Sequence, residues 1–294
     1  MSTTPSAPTG TQAVERGPST SPAETLRLLL RSPSFVVGLL IVAFWIACAL
    51  VGPFVVPHDP YEADPLDSLM PPDGTHWFGT DQLGRDIFSR VVVGARDILA
   101  IAPLATLVGT LAGTALGLVL GYFDGWLDRI AGRLIDALLA LPLVIVALAA
   151  LAALGASNAT VVLVIALTFM PMTARTVRAA VLAERHLDYV AAAQLRGEHA
   201  VYIMLVEIAP NVLPPIVVEA TVRLGYAIFA VATLSFLGFG VAPPSADWGL
   251  ALSESYSLMT GGAWWTVVFD ALAIATLVVG VNLVADSVQG ILQP

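Results

Sequence analysis

The chain has 294 residues, 57% of them hydrophobic and only 12% charged, with a mean hydropathy of +0.84. A soluble domain carries about 25% charged residues, so this is the composition of an integral membrane protein. All 13 basic residues are Arg, which leaves no lysine for a P-loop and hence no standard ATP-hydrolysing site, and the net charge of −9 argues against a nucleic-acid partner.

Residues 1–24 are rich in Ser, Thr, Pro and Gly without apolar periodicity, so residues 1–30 are expected to form a disordered cytoplasmic tail. Phe35–Val56 then runs for 22 residues without a charge, enough to cross roughly 30 Å of hydrocarbon. Residues 31–97 are therefore assigned to a first membrane helix and an extracytoplasmic loop. That loop, 58–97, carries eight acids and three arginines, and Thr80 or Asp81 is placed to cap a helix over 81–95.

Residues 98–294 are expected to form a core of five further spans. Ile98–Phe123 is the second span of the chain, and its Gly109, Gly113, Gly117 and Gly121 lie four residues apart. Such a stripe lets two helix backbones approach closely in lipid. A polar turn, 124–133, follows. The uncharged run 137–174 is too long for one crossing, and the Gly155–Asn158 segment divides it into helices near 134–154 and 160–178. A fifth span, 213–240, contains Glu219 and Arg223, and a sixth, about 264–286, opens on Trp264 and Trp265 at the interface.

Between the fourth and fifth spans lies a polar island, 185–210. Leu187, Val190, Ala191 and Leu195 recur at helical spacing, so 187–196 reads as a short helix. Asp188 charges its start, Gly197 can end it, and a second short helix over 199–209 runs into Pro210. Neither is stable alone in water. With both termini inside, nine arginines fall in cytoplasmic segments and three (Arg85, Arg90, Arg96) outside. The positive-inside rule favours that orientation and puts the island in the cytoplasm.

Two segments carry a family resemblance. GTDQLGRDIFSRVVVGAR, with Gly79, Thr80, Asp81, Gly84, Arg85, Asp86, Ser89 and Arg90, is similar to the GTD-x-x-GRD-x-x-SR segment of the C-type permease subunit of dipeptide, oligopeptide and nickel ABC importers. The island, with Ala191, Ala192, Ala193 and Gly197, resembles the EAA loop of such permeases, except that Ala191 stands where Glu is usual. The resemblance implies an all-α polytopic protein with six transmembrane helices, the type I ABC importer permease fold. It implies a bacterial inner-membrane transport subunit, not an enzyme, whose loop (Asp188, Ala191, Ala192, Ala193, Gly197, Pro210) couples to ATPase subunits. Its expected partners are a homologous second permease, two ABC ATPases and an extracytoplasmic binding protein, with ATP and Mg bound on the partners and no cofactor on this chain.

Glu219 and Arg223, at i and i+4, either neutralise each other or line the solute pathway. An ion-gradient-driven transporter using these two and Asp270 is the alternative reading; Asp270 is expected near the hydrated outer interface. The histidines at 58, 76, 186 and 199 show no metal-ligand spacing, so no metal site is expected. Cys48, the single cysteine, excludes an internal disulfide.

Overall fold

Hydrocarbon offers a backbone no hydrogen-bonding partner, so the uncharged stretches close their own ladders as helices. The computed structural model describes residues 22–292 apart from 124, 156, 242 and 243. Most of the expected tail, residues 1–21, lies outside the described residues. Its remainder is not a tail but helix α1 (Pro22–Arg31), whose leucines recur at helical spacing and which packs against α2 and α11. Helix α2 (Pro33–Val55) is the first span, opened by Ser32 as N-cap.

The helix expected over 81–95 and the span after it are one helix, α3 (Ile87–Tyr122), of 36 residues. Its cap is neither Thr80 nor Asp81 but Asp86, whose Oδ2 accepts from the Ser89 backbone N–H at 2.8 Å. Nothing after Asp86 interrupts the ladder except Pro103, which removes a single donor. At 1.5 Å per residue the helix is about 54 Å long, so its N-terminal part stands clear of the hydrocarbon.

The expected polar turn at 124–133 is instead largely the start of α4 (Trp126–Leu139), which meets α5 (Leu143–Leu154) at 92°. The bend falls at Pro142, so the third span is a broken pair and not one straight helix. Helix α6 (Asn158–Glu184) begins at the expected break, capped by Ser157. The island gives α7 (Asp188–Leu195) and α8 (Ala200–Tyr202), the latter continuing as a π-helical turn, Ile203–Ile208. Then come α9 (Leu213–Phe236), α10 (Trp248–Ser255) with a 3-10 turn, and α11 (Trp265–Leu292). Among the described residues five helices are long and apolar enough to cross a membrane, and the bent α4–α5 pair makes a sixth if it counts as one span. The protein is an all-α polytopic membrane protein.

Helices α3 and α6 make the most extensive pairing. The glycine stripe is the reason: a Cβ at Gly113 would lie 2.6 Å from Thr173 Cβ, and one at Gly117 2.7 Å from the Ala174 carbonyl. Helix α9 crosses α3, α6 and α11 and completes the main core. On the loop side the core is closed by Trp248, fully buried, whose Nε1 donates to Val91 O at 2.9 Å and whose ring meets Trp45 edge-on at 4.8 Å.

Candidate functional site

Three places hold the residues singled out by sequence, and each is built differently. The first is the island. Leu187 enters α7 in extended conformation and makes no side-chain cap, while Asp188 in the first turn complements the positive end of the helix dipole. Val190 and Ala193, three apart, are buried with Val177 and Val181 of α6, Leu118 of α3 and Ile203, Met204 and Ile208 of the π turn. Ala191 and Ala192 face out. Thus only two of the three alanines form an outer face, and Ala193 belongs to the inner packing. Leu195, 90% exposed, stands beside them.

Gly197 ends α7 at φ +79°, its N–H donating to Gln194 O at 3.0 Å and the Glu198 N–H to Ala193 O at 3.3 Å. This is the paired bonding of a Schellman turn, in which a side chain would be strained. The loop is tied to the bundle by polar clamps. Tyr189 donates its hydroxyl to Glu184 at 2.8 Å, Arg185 Nη1 donates to Gly121 O at 3.2 Å, and Arg196 Nη2 reaches Glu207 Oε1 at 2.8 Å. The π turn ends with Ala209 N–H on Met204 O, five residues back, and exposed Pro210 then leads into α9.

The second place is on α9. Arg223 Nε and Nη2 each lie 2.7 Å from Glu219 Oε1, and Thr176 of α6 lies 3.5 Å from the other carboxylate oxygen. The guanidinium carbon stands 5.9 Å from the Phe169 ring centroid and 5.7 Å from that of Tyr226, within cation–π range. Arg223, Tyr226 and Phe229 of α9, with Phe169 and Met172 of α6, line a cavity of about 420 Å³. The pair is thus self-neutralised, and its Arg223 member stands on a cavity wall.

The third place is the GTD-x-x-GRD segment, and it is a buried knot. Gly79, Thr80, Asp81, Gly84, Arg85, Asp86, Ser89 and Arg90 are all buried. Asp81 Oδ1 accepts from the Leu83 and Arg85 backbone N–H groups, and its Oδ2 lies 2.6 Å from Arg85 Nε. Arg85 Nη2 reaches Glu254 of α10 at 3.0 Å. Arg90 donates to Pro60 O at 3.1 Å and to Ser245 O at 2.8 Å, joining loop segments far apart in the chain. Gly84 has φ +76°, and a Cβ there would fall 1.8 Å from Asp64 O, so no other residue fits. These residues fold the loop rather than present a surface.

Two acids need separate mention. Asp247 caps α10 by accepting from Leu250 N–H at 2.9 Å, and burial pushes its carboxyl above the usual range. Asp270 does not sit at a hydrated interface as expected: it is 3% exposed, packed in the second turn of α11, with the Arg90 charge as its compensating neighbour. Sequence reasoning named Asp270 but not its burial, and it missed the keystone role of Trp248, because contacts between segments far apart in the chain have no periodic signature.

Comparison with known proteins fits this arrangement. Residues 113–294 match the family model described as "Binding-protein-dependent transport system inner membrane component", and residues 22–72 match the N-terminal TM domain of oligopeptide transport permease C. The dipeptide transport system permease protein DppC of Escherichia coli (strain K12) is 39% identical, with 94% of each chain covered. DppC of Alkalihalophilus pseudofirmus is 36% identical over 92% of this chain and 89% of its own. Among solved structures, the MetNI methionine ABC transporter in inward-facing conformations matches 69% of this chain and 96% of its own with a TM-score of 0.56 at 18% identity, a likeness of fold.

Proposed function

The chain belongs to the family of binding-protein-dependent transport system inner membrane components and is a permease subunit of an ABC importer; from that premise we propose that it carries peptides and works through α7. The substrate class rests on its relatives, which are named for dipeptide and D,D-dipeptide transport. Family membership also displaces the ion-gradient alternative. The protein is a multi-pass inner-membrane component, and we place both termini in the cytoplasm on the arginine distribution.

In this reading a homologous second permease completes the pathway, two ATPase subunits bind ATP and Mg, and a separate binding protein delivers the solute. This chain breaks no bond. Its exposed Ala191–Ala192–Leu195 face docks in an ATPase groove, and the clamps at Tyr189, Arg185 and Arg196 carry the displacement into α3, α6 and α9. Arg223, at the cavity wall, lines the pathway with Glu219 as its paired neighbour. The observation that carries the proposal is the contrast within α7, where one face is locked into the bundle and the other, unusually apolar, is left open. The test is uptake into proteoliposomes holding the whole importer. ATP-dependent dipeptide accumulation that requires the binding protein is expected; accumulation without ATP, driven by an ion gradient, would contradict it.

A further inference from the structure

The fold brings together two histidines that sequence spacing had separated. His58 follows the end of α2, and His76 precedes the N-cap of α3, yet their ring centroids are 4.7 Å apart. His76 Nδ1 lies 2.9 Å from Asp86 Oδ1. One donor atom from each of His58, His76 and Asp86 lies within 4.8 Å of the other two. We propose that these three residues bind a divalent transition-metal ion, with zinc the fitting example, that fastens the extracytoplasmic loop to the start of α3. This goes beyond the importer reading and does not depend on it.

The chemistry favours a borderline ion. Two imidazoles and a carboxylate, with water in a fourth position, form a common zinc set with bonds of about 2.0–2.2 Å. Ligand atoms on such an ion stand roughly 3 Å apart, which is already the His76–Asp86 separation. Asp86 is held in place because its other oxygen accepts from Ser89 N–H at 2.8 Å and Ser89 Oγ at 2.6 Å. His76 and Asp86 are buried, so two ligands are fixed before binding. His58 is half-buried, and its Nε2 lies 3.1 Å from the Thr75 carbonyl, a contact that holds its ring beside the other two ligands. His58 also faces a polar cavity of about 610 Å³ lined by Asp59, Tyr61, Arg96 and Asp97. A second carboxylate, Asp67, lies 3.8 Å from His76 Nε2 and adds negative charge.

The test uses the intact importer, purified without a polyhistidine tag, stripped with chelator and titrated with Co²⁺. Because partner subunits can bind metal, the readout is a difference between complexes identical except at one residue. Wild type should bind one more Co²⁺ per copy of this chain than His58→Ala, with a visible absorption band that Zn²⁺ abolishes. His199→Ala, in the cytoplasmic loop, should match wild type. Zn²⁺ should also raise the melting temperature of wild type but not of His58→Ala, which leaves the His76–Asp86 bond in place. Equal Co²⁺ binding in wild type and His58→Ala, or no zinc-dependent shift in wild type, overturns the site.

Discussion

Arg223 holds Glu219 through two donors, Nε and Nη2, each 2.7 Å from the same Oε1 oxygen, while its guanidinium stands over the Phe169 and Tyr226 rings at a cavity wall. Removing one partner of such a pair leaves an uncompensated charge, which costs about 3–5 kcal/mol when the pair is buried. Glu219→Ala and Arg223→Ala should therefore lower the amount of assembled transporter. The exchange Glu219→Arg with Arg223→Glu restores neutrality and should restore assembly. It moves the cation one turn along α9, away from its rings, so uptake should stay well below wild type. An exchange variant with wild-type uptake would show that the pair serves neutralisation alone.

Close packing of α3 on α6 gives a stability prediction. A Cβ at Gly117 would stand 2.7 Å from both the Ala174 carbonyl and Val177 Cβ, and neither belongs to the end of a flexible side chain. Gly117→Leu should force the helices apart at a cost of about 1–3 kcal/mol or more. The expected result is a lower melting temperature and less partner permease recovered on purification. Gly132→Leu, where nothing lies within 4 Å, should be neutral.

Asp247 offers a pH test. Burial raises its carboxyl above the ordinary value, so folding favours the protonated form. That contribution is complete at low pH and is lost as pH rises through the raised folded value. Asp247→Asn keeps the α10 cap oxygen without the charge. It should melt at or above the wild-type temperature, with the larger gain at pH 8 and little at pH 4. A loss at pH 8 would mean that the charge itself is needed.

Periodicity told much of this in advance, and its failures have physical causes. Long apolar runs marked the spans because only helix satisfies the backbone in lipid. Gly197 and the Gly155–Asn158 break marked helix ends because local chemistry decides those positions, with Ser157 supplying the cap. The α3 start was misread because Thr80, Asp81 and Asp86 are all good caps, and the choice depends on the turn that Gly84 makes against Asp64. The same contacts turned a segment read as family signature into a buried knot. The His58–His76 pairing was invisible because it depends on how the loop closes, not on spacing. The burial of Ala193 is a milder case, since three adjacent alanines give no hint of which one faces inward.

Orientation rests on the arginine asymmetry, and thiol labelling checks it. With Cys48 replaced, a cysteine at exposed Asn158 or Thr260 should react with an impermeant reagent in intact cells. Ser245 is unsuitable because it is buried against Asp97. A cysteine at exposed His199 should react only after permeabilisation. Labelling of position 199 from outside would reverse the topology and remove α7 from the ATPase side.

Variants of the α7 turn separate coupling from folding. Gly197→Val places a branched side chain at φ +79°, a strain of about 1–2 kcal/mol confined to the turn. Six spans should still insert and hold the partner permease, while ATP hydrolysis loses its stimulation by binding protein. Ala191→Glu, on the exposed face, should be tolerated. Normal transport by Gly197→Val would count against a coupling role for this turn.

Contact between α7 and an ATPase subunit is the centre of the account, and a photoreactive amino acid at Leu195 measures it directly. That position is 90% exposed and adjoins Ala191 and Ala192, so substitution leaves the inner packing of Val190 and Ala193 intact. In membranes holding a transporting complex, illumination should yield a covalent adduct with an ATPase subunit, and the yield should change on adding ATP. A complex that still transports but gives no ATPase adduct from Leu195, with or without nucleotide, would contradict it.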